Sequence, residues 1–327
     1  VELTPSENHI ADAQLVEDNL LFIHENGIEQ KVNLRAFTFD ALKLTDLVIA
    51  NDTIIESATP IIIYGDGIRV EENATLTIKN TTLYFHNDAG IDVNGNLEAY
   101  NSTFRGDRLD HMFDYLPYDR ISGQWKGINI HSQSTKVILE DCIIKNAVDG
   151  IVCDTIDNNV NPQQVVLNRC VIHNCKGVGF QSVNSNVNLI QCQITNTLGD
   201  CVDIAGGEVS INQCTFAQFY PFSANRGTAL RFQNGENINL NLQCSNTLIT
   251  GYEEDVIMGT PNDTITATFN YAFSHCLLRT PAVDDAERFT EIIWETSKDS
   301  IQGKQHFVKI DEDYLYYDFH LDRLSTV

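Results

Sequence analysis

The chain has 327 residues, 43% of them hydrophobic and 20% charged, a balance that allows a large buried core. Forty-five acids against 21 Lys and Arg leave a net charge of −24, a surface that repels phosphate backbones and excludes nucleic acid as a partner. No run of 18 apolar residues is present to form a membrane-spanning helix.

In chain order, residues 1–40 stand apart. Asn19 to Phe37 predicts a hairpin: LLFIH, a turn at Glu25-Asn26-Gly27, then KVNLRAF with Val32, Leu34 and Ala36 alternating. Two or three strands make no stable sheet alone, so this piece is expected to dock on the next domain or to close a sandwich whose other strands lie outside this sequence. Val1 opens the chain without the basic and apolar regions of an export signal, which leaves any such signal removed or upstream.

Residues 41–327 form the second unit. Short β-runs (LVIAND, TIIES, PIIIYGDGIRV) lead into a repeat. A small residue precedes the strand I-x-V at Gly67, Gly90, Gly127, Gly150, Gly177, Cys201, Ala229 and Asp255, in steps of 23, 37, 23, 27, 24, 28 and 26. Fixed-period β-repeats of this length predict an all-β fold, a parallel β-helix with one coil per repeat. A second marker places Thr81, Ser102, Cys142, Cys170, Cys192, Cys214, Thr247 and Cys276 at one corner, stacked about 4.8 Å apart and pointing inward. A narrow corner wants small side chains, and a reduced Cys serves as a small hydrophobe. The nine Cys are therefore expected as free thiols, because parallel side-chain vectors suit disulfide torsion poorly. Four residues on, Asn146, Asn174, Asn196 and Gln218 form an amide ladder at a tight turn. After Thr280 the register fades, and from about residue 283 HFVKI and YLYYDFHL are expected to cap the open end.

Candidate chemistry lies where the period breaks. The 37-residue step holds Arg105, Asp107, Arg108, Asp110, His111, Asp114, Tyr115, Tyr118, Asp119, Arg120 and Trp125, and Phe219 to Thr228 is a smaller excursion. Carboxylates beside flat aromatics suit sugars, which offer hydroxyls to bond and C–H faces to stack. Asp107, Asp110, Asp114 and Asp119 are the acids available for acid–base work on a glycosidic bond, provided two lie about 5–9.5 Å apart. The competing expectation is a loop folded back over the barrel, with Asp–Arg pairs closing it. The I-x-V strands supply an outward row, Arg69, Asp92, Asn129, Val152, Gly179, Asp203 and Arg231, where Asp92 and Asn129 are ligand candidates. Arg69 with Asp92, and Asp203 with Arg231, are expected as charge pairs between coils. Cys170, His173 and Cys175 invite a zinc reading, but strand alternation sends His173 out and Cys170 in, so no metal is assigned. Polyanionic ligands would need a bridging cation such as Ca2+; no other cofactor is implied.

The phrases TLYFHNDAGI, FRGDRLDHMF and LPYDRISGQWKGI resemble a group of exported right-handed β-helix proteins of gut Bacteroidetes, many of them surface lipoproteins. The likeness spans roughly residues 14 to 325. In that group an immunoglobulin-like domain precedes the helix, so the resemblance implies that residues 1–40 are the closing strands of a truncated sandwich. It also implies export to the cell surface or periplasm, membrane attachment only through a lipidated Cys upstream of Val1, and a connection with glycans; no activity is established for the group. The broader likeness is to the pectin-lyase-like fold, which hosts enzymes and passive scaffolds alike. The expected role is a non-catalytic glycan-binding or scaffold β-helix. The alternatives are a polysaccharide lyase or glycoside hydrolase using the 105–125 carboxylates, and an adhesin.

Overall fold

The structure, a computed structural model, describes residues 14–111, 113, 115–131, 135–154, 162–235, 237–262 and 266–325. From Leu42 to Trp294 the strands form a parallel β-helix whose coils each contribute to three faces. One face carries the I-x-V strands Gly90–Val93, Ile128–Ile130 and Ile151–Cys153. The second carries Asn96–Tyr100, Lys136–Glu140 and Gln164–Asn168. The third carries Thr82–Phe85, Thr103–Gly106, Ile143–Lys145 and Val171–Cys175.

Alternation along each strand turns every second side chain inward, as the exposed–buried pattern of Gln164–Asn168 shows. The inward residues stack like on like. Leu83, Phe104, Ile144, Ile172, Ile194, Phe216, Ile249 and Leu278 make one such column, all buried. The corner column Thr81 to Cys276 forms in the register read from the sequence: each backbone carbonyl accepts from the strand of the next coil, as Ser102 does from Ile143 and Cys142 from Val171. All nine thiols are free and buried, and Cys192 Sγ reaches the Leu167 carbonyl at 3.3 Å. Burial pushes the Cys201 thiol up to about 12, so it stays protonated.

Each corner is turned by the residue just before that column. Asn80, Asn101, Asp141, Arg169, Gln191, Gln213, Asn246, His275 and Glu291 all have φ between 46° and 55°. The left-handed conformation costs non-Gly residues roughly 1 kcal/mol or more each, offset by the continuous ladder it permits. Asn146, Asn174 and Asn196 adopt it at the next corner (φ 62°, 60° and 56°), and Asn174 Nδ2 donates to Asn146 Oδ1 at 2.8 Å.

Three readings of register are corrected. The stacked small residue is Gly179, in step with Gly150, rather than Gly177, so the outward row runs Val152, Gln181, Asp203. Val256, not Asp255, follows Ala229, which puts Met258 beside Arg231. The ladder also persists past Thr280, through Phe289–Thr290 and Ile293–Trp294.

The two terminal hairpins behave differently. Gln14–Ile23 and Glu29–Thr38 pair antiparallel around Asn26-Gly27, with Gly27 at φ 76° and the Ile28 N–H on Asn26 Oδ1. The ribbon meets the helix at its base, where Phe39 packs on Tyr84 and Phe37 on His111. Phe307–Asp311 and Tyr316–Leu321, expected as an end cap, instead lie against the third face: Phe307 and Phe319 bury against Phe219, Leu248 and Leu277.

Candidate functional site

The 37-residue step leaves the third face at Gly106 and returns at Trp125. It wraps around Arg105, which is 8% exposed and donates to the carbonyls of Gly106 (3.2 Å), Arg108 (3.3 Å) and Asp119 (3.3 Å). Gln124 Nε2 holds the carbonyls of Tyr118 (2.5 Å) and Ile121 (2.8 Å). The amide ladder fastens the loop from below, Asn146 Nδ2 on the Asp119 carbonyl (2.6 Å) and Asn174 Nδ2 on that of Arg120 (2.7 Å). Arg120 then reaches across to the Tyr314 carbonyl at 2.8 Å.

The acids are committed one by one. Arg108 grips Asp110 through two bonds of 2.8 and 3.0 Å while its guanidinium lies 4.2 Å from the centre of the Tyr118 ring. That grip holds the Asp110 carboxyl below the usual range, the wrong direction for a general acid. Asp107 pairs with His86 Nδ1 at 2.6 Å. Asp119 Oδ1 lies 3.0 Å from His111 Nε2, close but without hydrogen-bond alignment. Asp114 lies outside the described residues. Two ligand assignments are corrected. Arg105 is consumed by carbonyls. Trp125 is 1% exposed, stacked on Phe85 at 4.4 Å, with its indole N–H on the Lys145 carbonyl. Tyr115, at 71%, stays open to solvent.

Under the loop and the C-terminal hairpin runs an outward row that the repeat markers do not single out: Tyr84, Arg105, Lys145, His173, Thr195. His173 faces away from the coil, as alternation requires, but Tyr317 and Phe319 roof it at 5.5 and 5.9 Å. Burial first, and then Lys145, pull its pKa down to about 3, so it is neutral and bonds Thr195 Oγ1 through Nδ1 at 2.9 Å. The Lys145 carbonyl takes the Trp125 indole N–H, but the Lys145 ammonium has no hydrogen bond or ion pair among the described residues. Burial, with Arg105 and Arg120 as like charges, lowers its pKa to about 8, and Asp119 opposes the shift. Amine labelling against pH should therefore show Lys145 titrating near 8. In Asp119→Asn, which removes the opposing charge, the midpoint should fall further; an unchanged midpoint would mean that Asp119 does not act on this amine.

On the first face the predicted coil-to-coil charge pairs do not form. Arg69 binds Glu71 (2.7 Å), and Arg231 binds Asp200 (2.7 Å). Asp203 takes a bond from Gln181 Nε2 at 2.9 Å, and burial raises its carboxyl pKa. Asp92 lies in a cleft of about 420 Å3 with Arg69, Lys126, Asp66, Asp46 and Val48. Its Oδ1 meets His131 Nε2 at 3.1 Å and Asn129 Nδ2 at 3.5 Å, so the two ligand candidates of this row are side by side.

No curated protein and no solved structure matches this chain. A family profile described as the right-handed beta helix region matches residues 43–216, more than half of the sequence, a span that contains the loop and the cleft. With the coil register and that match together, the chain belongs to the right-handed β-helix family.

Proposed function

We propose that this protein is a non-catalytic glycan-binding β-helix that takes a short stretch of sugar in the Asp92 cleft. One observation carries the reading: in a cleft of about 420 Å3, the acids Asp46, Asp66 and Asp92, the cations Arg69 and Lys126 and the exposed methyls of Val48 converge. Carboxylate and ammonium groups bond hydroxyls, and a branched aliphatic side chain offers a surface to a sugar's C–H face. The lyase or hydrolase alternative loses support because Asp107, Asp110 and Asp119 each face a basic partner.

A glycan array tests the proposal. Binding should appear for a defined set of glycans, and Asp92→Ala or Lys126→Ala should weaken it about tenfold, or 1.4 kcal/mol. Asp110→Asn should leave it unchanged. Silence across the array, or binding indifferent to both cleft variants, would reject the cleft. The adhesin reading has its own support in the N-terminal ribbon, where Phe22 and Ile23 are 52% and 68% exposed.

A further inference from the structure

The second face carries a surface that no repeat marker and no loop points to. Two outward rows run along it in register, Gln164–Asn186–Glu208–Asn241 and Val166–Asn188–Ser210–Gln243. They line an open groove of about 370 Å3. Among the described residues, the side chains of Gln164, Asn186, Asn188 and Ser210 have no hydrogen-bond partner, whereas Asn241 Nδ2 donates to Glu208 Oε2 at 2.8 Å. Amides that neither cap a turn nor bond a neighbour offer donor and acceptor together to a ligand.

Charge narrows the ligand. In a chain of net charge −24, these two rows carry one ionised group over four coils, Glu208. A polycation finds little here, and a polyanion is repelled by the rest of the surface. An uncharged, hydroxyl-rich ligand fits. Spacing narrows it further, because the rows repeat at the strand separation of about 4.8 Å. A sugar residue in an extended β-linked chain advances by a similar distance. We propose that this face binds an extended neutral polysaccharide lengthwise, each sugar residue addressing one coil. The proposal rests on the glycan-binding reading but uses a different surface from the cleft, so the two can fail separately.

The test is affinity against length, measured by titration calorimetry with neutral β-1,4-linked gluco-, manno- and xylo-oligosaccharides of two to six residues. Affinity for at least one series should climb roughly tenfold or more between the disaccharide and the tetrasaccharide, then level off once four coils are occupied. The double variant Asn186→Ala, Asn188→Ala should lose the gain with length while unfolding at the same temperature, since both side chains point outward. Asp92→Ala should retain the gain. The lengthwise site is overturned by an affinity independent of length, by no binding in any series, or by a gain with length that survives the double variant.

Discussion

Replacing Glu295 by Gln is expected to destabilise the protein by about 3–5 kcal/mol and to loosen the C-terminal hairpin. Glu295 is 3% exposed at the point where the last coil meets the hairpin. Its Oε1 receives the Arg279 guanidinium and the Gly303 N–H (2.5 Å). Its Oε2 receives the Thr250 hydroxyl (2.8 Å), with His306 Nε2 3.4 Å away. Arg279 is equally enclosed, donating also to the Glu253 carbonyl (2.6 Å) and Gln302 (3.1 Å). Removing the carboxylate charge leaves a buried guanidinium without its counter-ion, which is the costly way to break such a pair. Burial acts to raise the Glu295 pKa, but the donors outweigh it and the carboxyl is held below its ordinary range. Its stabilisation is therefore complete above the unfolded carboxyl pKa and is lost as pH falls through the lower folded value. Urea unfolding should show a wild-type advantage that is constant near neutrality and shrinks in acid. Hydrogen exchange should speed up in Phe307–Asp311 and Tyr316–Leu321 of the variant. A variant as stable as wild type, with the hairpin equally protected, would mean that this node does not fasten the hairpin.

Trp125→Ala should cost a similar amount, about 3–5 kcal/mol, for a different reason. The indole fills the place where the long loop re-enters the coil, parallel to Phe85 at an interplanar angle of 11°. Truncation leaves a cavity lined by atoms that have already lost contact with water. Trp125→Phe keeps the stack but removes the indole N–H that the Lys145 carbonyl accepts, so its loss should fall to about 1–3 kcal/mol. Sugar binding per folded molecule should stay at the wild-type level in both variants, measured at a temperature where each is folded. A loss of binding without a loss of stability would return Trp125 to the ligand-contacting set.

How much of this could be read in advance follows from which forces leave a mark on residue type. The corner column was legible because its packing accepts only small side chains, hence Cys, Ser and Thr at a fixed offset. The residues that turn that corner were not, because a left-handed φ is imposed on Asn, Asp, Arg, Gln, His and Glu alike. The Gly177–Gly179 ambiguity has a similar origin. A Cβ at Gly177 would lie 2.0 Å from Asp149 Oδ1, and one at Gly179 2.5 Å from the Cys201 carbonyl oxygen, so both positions demand glycine and neither announces which is stacked. In the loop, Asp–Arg closure was anticipated in kind. The burial of Lys145 and His173 was not, because their roof comes from residues far along the chain, as the Arg120–Tyr314 bond shows. No periodicity reports contacts at that separation.

Whether the loop acids face bases or a substrate is what separates the proposed binding role from the catalytic alternative. The most direct measurement incubates the protein with every glycan that scores on the array and follows new reducing ends and new unsaturated ends over time. Bound glycans should remain intact, with Asp110→Asn and Asp119→Asn indistinguishable from wild type. Cleavage that disappears in either variant while the fold persists would contradict the account and place catalysis in the 105–125 loop.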